Sequence, residues 1–150
     1  MDLILWRHAE AEDSVPDSER KLTAKGCKQA EKVGGWLAER LPDDARILVS
    51  PAARAQQTAA ALERPFDTVP AVGLVASHES LLAAAGWPDH AGTVVIVGHQ
   101  PVLGEVAARL LSGKVSSWGI KKGALWWLSR RGRAAGAEAT LRAVIGPDLI

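Results

Sequence analysis

Leu3-Ile4-Leu5-Trp6-Arg7-His8 opens the chain, four apolar residues closed by a guanidinium and an imidazole. An unbroken apolar run this short, bounded by charge, reads as a strand covered on both faces of a sheet. Two comparable runs follow, Arg46-Ile47-Leu48-Val49 and Thr93-Val94-Val95-Ile96-Val97. Each ends in polar groups. The first delivers Arg7 and His8. The second delivers Ser50 and, one helical turn on, Arg54. The third delivers His99 and Gln100. Ligands of open α/β sheets bind outside the carboxyl ends of the strands. If these strands are parallel neighbours, two arginines and two histidines converge on one pocket.

The segments between the runs have helical periodicity. Cys27, Ala30, Val33, Gly34, Leu37 and Leu41 recur at helical spacing, with Lys28, Glu31, Lys32 and Glu39 on the other faces. Thr23 is the expected N-cap and Pro42 the stop. Ser50 is expected to cap a helix through about Leu62, with Pro51 as its first residue and Arg54 as its fourth. A short edge strand is expected near Thr68-Val69. Further helices are expected around Ser80–Ala85, ending near Gly86, and from Gly98-His99-Gln100-Pro101 to about Leu111, stopping near Gly113. Ala124–Ser129 and Ala139–Val144 read as an antiparallel pair joined by the basic, Gly-rich stretch Arg130–Gly136. The expected fold is therefore a three-layer α/β/α sandwich, with a mostly parallel central sheet and antiparallel edge strands near the C-terminus. A single domain is expected over residues 1–150.

Bulk properties narrow the function classes. The chain has 150 residues, 47% apolar and 23% charged, with a net charge of +1. That balance gives no electrostatic case for nucleic acid or a membrane surface, and the apolar runs are far too short to span a bilayer. The single cysteine, Cys27, excludes an intramolecular disulfide and fits a reducing compartment. The N-terminus does not read as a signal peptide, because its apolar stretch ends within a few residues at Arg7. A cytoplasmic monomer is the expectation.

Each polar residue has a plainer reading beside the functional one. Arg54, near an open helix N-terminus, sits where the dipole calls for an anion rather than a cation. The plain reading is a surface ion pair with Glu63 or another acid. His8 and His99 are, one at a time, ordinary buried histidines; at the ends of two strands of one sheet they make a constellation. Two strand ends are also helix starts, where free N–H groups favour an anion. A metal site is disfavoured. His8, His78, His90 and His99 lack HxH or HExxH spacing, and two arginines repel a cation. Neither metal nor cofactor is expected. Cys27 is read on the apolar face of its helix, Trp126-Trp127 as core plus surface, Trp118 as a rim residue, and Arg130–Arg133 as a solvated hairpin loop.

The segment Leu3–Ala11 resembles the Arg-His signature of the histidine phosphatase superfamily, in the form of its SixA-type phosphohistidine phosphatases. Arg20-Lys21-Leu22-Thr23-Ala24-Lys25-Gly26, Val49-Ser50-Pro51-Ala52-Ala53-Arg54-Ala55-Gln56-Gln57-Thr58 and Val97-Gly98-His99-Gln100-Pro101-Val102-Leu103-Gly104 follow in order. The match is weakest over residues 64–92 and after Lys114. The resemblance implies that His8 is the nucleophile of a covalent phosphohistidine intermediate, and that Arg7, Arg54 and His99 bind the phosphoryl oxygens. Gln100 is added here as a further phosphate-binding candidate. The larger mutase-like members carry insertions and a catalytic acid in the region after the second helix. This chain is short there and offers Glu79 and Asp89, neither of which maps securely; Glu79 is the candidate general acid.

Phosphoryl transfer depends on alignment and on donors for spread negative charge. Arginine supplies both. A histidine nucleophile must be neutral, which Arg7 and Arg54 favour, and either a backbone carbonyl or a carboxylate could orient its other nitrogen. Without a secure acid the site favours a leaving group that needs little protonation. The expected substrate is phosphohistidine on a protein. A small-molecule phosphomonoesterase and a non-catalytic phosphate-binding module are the alternatives.

Overall fold

The computed structural model describes residues 1–131 and 138–150. Six strands form one sheet in the order β3-β2-β4-β1-β5-β6. They are β1 (Asp2–Arg7), β2 (Arg46–Val49), β3 (Asp67–Thr68), β4 (Thr93–Gly98), β5 (Leu125–Ser129) and β6 (Thr140–Ile145). β1, β2, β3 and β4 run parallel. β5 and β6 join antiparallel beyond β1. The three apolar runs are thus immediate neighbours, and the register aligns their ends: Arg7 lies opposite Gly98, and Val49 opposite Val97.

Side-chain alternation divides each strand between two cores. Ile4, Trp6, Ile47, Val49, Val95 and Val97 face α1 (Ala24–Ala38) and α2 (Ala53–Ala60). Leu3, Leu5, Leu48, Val94 and Ile96 face α3 (His78–Ala85) and α4 (Val102–Ser112). Helices therefore cover both faces, which is why the central strands are apolar without interruption. Among the described residues, no helix is long and apolar enough to cross a membrane.

Several expectations shift by a few residues. Thr23 caps α1, its hydroxyl accepting from the Gly26 N–H at 2.9 Å. The buried stripe of α1 is Gly26, Ala30, Val33, Gly34 and Leu37. Cys27 lies at the margin of that stripe, about 20° round the helix from Gly34, and is exposed, not on the apolar face. α2 begins at Ala53 with Ala52 as its N-cap, rather than at Pro51 after Ser50. The sheet explains the delay: Ser50 N–H still donates to Val97 O at 3.0 Å, so helical geometry starts only beyond Pro51. Arg54 is consequently the second helical residue, not the fourth. α3 starts earlier than expected, capped by a reciprocal Ser77–Ser80 pair, and ends at Gly86 with φ +73°. Both faces are covered at β5: Trp127 is buried in one core, while Trp126 packs against the partly buried Trp118 of the other. Of the basic stretch Arg130–Gly136, residues 132–136 lie outside the described residues.

Candidate active site

β1 passes between β4 and β5, so the backbone leaving it is fixed on both sides. His8 N–H donates to Gly98 O at 3.1 Å, and Gly123 N–H donates to His8 O at 3.0 Å. Buried Trp6 adds a bond from its indole N–H to Gly123 O at 3.0 Å. Ala9 N–H donates to Thr58 Oγ1 at 3.0 Å, and that hydroxyl donates to Arg54 O at 2.7 Å. Thr58 thus clamps the segment after His8 to α2. Nothing in its sequence context marks it for that task, since an apolar helix face tolerates a threonine that bonds its own helix.

The His8 ring has a defined tautomer. Nδ1 lies 2.7 Å from Ala9 O, and a carbonyl oxygen only accepts, so Nδ1 carries the proton. Nε2 keeps its lone pair and accepts from Arg54 Nε at 3.3 Å. The orienting group is a backbone carbonyl. Burial pushes the His8 imidazole down to about 3, with smaller contributions from His99, Arg54 and Arg7, while the Ala9 carbonyl opposes the shift. Desolvation therefore leads and the arginines assist, the reverse of the emphasis read from charge alone.

His99 faces His8 with ring centroids 5.3 Å apart. Its Nε2 is 2.7 Å from Ser50 Oγ, and its buried Nδ1 has no partner. Burial pushes this imidazole to about 4; Arg54 and Arg7 add to the shift and Asp17 opposes it. The Ser50 hydroxyl that was read as a helix cap is spent on His99 and on the Ala52 N–H, 3.2 Å away. Arg7 donates from Nη1 to Ile120 O at 2.8 Å, and its buried Nε is unpartnered. The four strand-end residues thus share one neighbourhood, with unsatisfied nitrogens on Arg7 and His99.

Arg54 carries a resident anion. Its Nη1 donates to Asp17 O at 2.7 Å, and its Nη2 pairs with Asp17 Oδ2 at 3.2 Å. The partner is not Glu63 but an acid on a 3₁₀ turn (Asp17–Glu19) within the loop after β1. Arg20 also holds Asp17, at 3.2 Å. The hydrogen bonds from Arg20 and Arg54 keep the Asp17 carboxyl below its usual range. Sequence reasoning asked for an anion at Arg54 but had no means of choosing a loop acid 37 residues upstream.

The other candidates stand apart. Gln100 is tied into the fold at both ends of its amide: Nε2 donates to Trp118 O at 2.7 Å, and Oε1 accepts from Gly104 N–H at 2.7 Å. An anion would have to compete with both bonds. Glu79 sits on the first turn of α3 with its side chain 78% exposed and a carboxylate oxygen 3.7 Å from His78 Nε2. Asp89 is exposed. No hydrogen bond or ion pair among the described residues joins either acid to His8.

Comparison with known proteins places this arrangement. The profile of the histidine phosphatase superfamily (branch 1) matches residues 3–74. Phosphohistidine phosphatase SixA of Escherichia coli (strain K12) is 30% identical over 127 residues, covering 76% of each chain. A SixA homolog from Haemophilus influenzae is 33% identical over 127 residues, covering 73% of this chain and 77% of its own. The solved structure of the protein histidine phosphatase SixA complexed with tungstate superposes with a TM-score of 0.82 at 23% identity, covering 99% of both chains. The convergent strand ends and these likenesses together assign the chain to the histidine phosphatase superfamily.

Proposed function

We propose that this phosphatase hydrolyses phosphohistidine on a protein, by way of a phosphoryl group carried on His8 Nε2. The observation that carries the reading is the His8 ring itself: neutral, proton on Nδ1, lone pair of Nε2 beside Arg54 Nε. In the first step Nε2 bonds to phosphorus as the bond from phosphorus to the substrate's imidazole nitrogen breaks. The departing imidazole carries its proton on the other ring nitrogen, so it leaves neutral. Water then attacks the phosphoenzyme, releases inorganic phosphate and returns His8 to its starting form. Arg7, Arg54 and His99 present donors to the phosphoryl oxygens, with Arg54 exchanging the Asp17 carboxylate for the substrate.

The choice of a phosphoramidate rests on proton supply. An alkoxide leaving group needs an acid. Glu79 and Asp89 are not joined to the site, and Asp17 is held ionised by two guanidinium groups. Imidazole leaves without that help.

Rapid mixing with ³²P-phosphohistidine protein, followed by alkaline quench, tests the reading. Label should stay on the wild type and be absent from His8→Ala. Side-by-side rates on a phosphohistidine peptide and a phosphomonoester separate substrates; faster ester cleavage would replace this reading with a phosphomonoesterase. Tight binding of the phosphopeptide without turnover would replace it with a binding module.

A further inference from the structure

A groove of about 710 Å³ adjoins the site through Arg7. One wall is α1, which presents Lys25, Lys28 and Lys32; the other is the loop bearing Lys121 and Lys122. Glu10 and Asp148 are its acids. Six cations against two carboxylates give the groove a net +4 in a chain whose total is +1, so the remaining residues carry −3. The near-neutral total thus conceals a segregated surface.

The walls are fastened to the segment that bears His8. The Cα of Gly26 in α1 comes so near Glu10 that a Cβ there would stand 2.0 Å from Glu10 O. Gln29 Oε1 accepts from Glu10 N–H at 2.9 Å. On the other side, Ile120 O holds Arg7 and Gly123 N–H holds His8 O. The lysines are therefore placed relative to His8 by a rigid frame, although each side chain is exposed. Lys25, Lys28 and Lys32 occupy one face of α1 at i, i+3 and i+7, and span roughly 10 Å along its axis.

We propose that this groove docks an acidic segment of the phosphorylated protein, seating carboxylates on the α1 lysines while the phosphoryl group reaches His8. The inference rests on the phosphohistidine reading above. The occupant follows from charge: a row of point cations one helical face long complements Asp and Glu side chains spaced along an extended or helical segment. Ammonium groups offer attraction without the bidentate geometry that arginine would bring to phosphate. Such a surface acts on encounter and KM more than on the chemical step.

The test uses the full chain and a triple variant, Lys25→Glu/Lys28→Glu/Lys32→Glu, with circular dichroism confirming its fold. Substrates are two chemically phosphorylated histidine peptides of equal length, one flanked by Asp and Glu and one by Lys, together with free phosphohistidine. Each exposed pair is worth roughly a factor of two, so three pairs predict roughly a tenfold preference of the wild type for the acidic peptide at low salt. The preference should lie in KM and fall with ionic strength. The triple variant should reverse it while keeping the wild-type rate on free phosphohistidine. Fluorescence anisotropy of the unphosphorylated peptides reads docking without turnover. If neither protein cleaves any phosphohistidine substrate yet binding still favours the acidic peptide, the functional reading fails and the groove stands. If the triple variant matches the wild type in peptide preference and binding, the docking proposal fails. It fails likewise if the groove binds a DNA duplex or anionic vesicles while ignoring the peptides.

Discussion

Acidification should unfold this protein through its two site histidines. Both imidazoles are neutral in the fold, at about 3 for His8 and about 4 for His99, against about 6.5 in an unfolded chain. As pH falls below 6.5 the unfolded state takes up protons that the folded state refuses, so stability falls with pH. It is whole above pH 6.5, and each histidine's share is lost progressively toward its folded value. Down to pH 5 the linkage slope gives a loss of about 2 kcal/mol for each group, or about 4 kcal/mol together. That is a large part of an ordinary domain's stability of roughly 5–15 kcal/mol. Asp2 and Asp17 titrate with the opposite preference. Their folded carboxyls lie below 3.8, so their contributions stay intact above that value and do not enter the window. Urea unfolding at pH 7, 6 and 5, on wild type, His8→Asn and His99→Asn, reads the effect. Each variant should lose roughly half of the wild-type pH dependence. Parallel curves for all three proteins would show that burial of these rings does not set their charge.

Two further outcomes follow from the contacts. Asp17→Ala removes the carboxylate that occupies Arg54, across an ion pair whose acid is 57% exposed. Screening limits the gain to about 0.5–1 kcal/mol, so tungstate or phosphate should bind roughly two- to fivefold tighter by calorimetry; unchanged or weaker binding would mean the carboxylate does not compete. Gly26→Ala drives a Cβ against Glu10 O at 2.0 Å. The backbone must yield, at a cost of about 1–3 kcal/mol, or roughly 3–10 °C in Tm by calorimetric scan. An unchanged Tm would mean that α1 and the residues after His8 are not rigidly apposed.

The sequence exposes the framework because burial on both faces leaves a plain trace. Leu3–Trp6, Ile47–Val49 and Val94–Val97 have no solvent side, and the polar residues that end them fall together at the carboxyl end of the central strands. His8, Arg7, Arg54 and His99 were legible for that reason. What periodicity does not encode is the partner of a loop residue. Asp17 reaches Arg54 across a non-repeating segment with Pro16 at its start, and nothing in the spacing selects it over Glu63. Ser50 misled because one hydroxyl suits both a helix cap and a histidine, and only the sheet bond of its own N–H decides. Gln100 stood beside His99 in the chain, yet its amide is drawn to Trp118 and Gly104. Lys28 and Lys32 read as an ordinary solvated face. Their concentration with Lys121 and Lys122 arises from a contact between distant segments.

The position of β1 has a consequence for how such a chain can change. Its last residues are pinned by β4 on one flank and by the Gly123 turn on the other, while β3 and β6 occupy the outer edges. An insertion or a lengthened strand at either edge adds new surface roughly 10 Å or more from His8 without disturbing its bonds. The architecture thus separates a part that must stay fixed from margins where new recognition can be grafted, and an engineer seeking altered specificity should build at those margins.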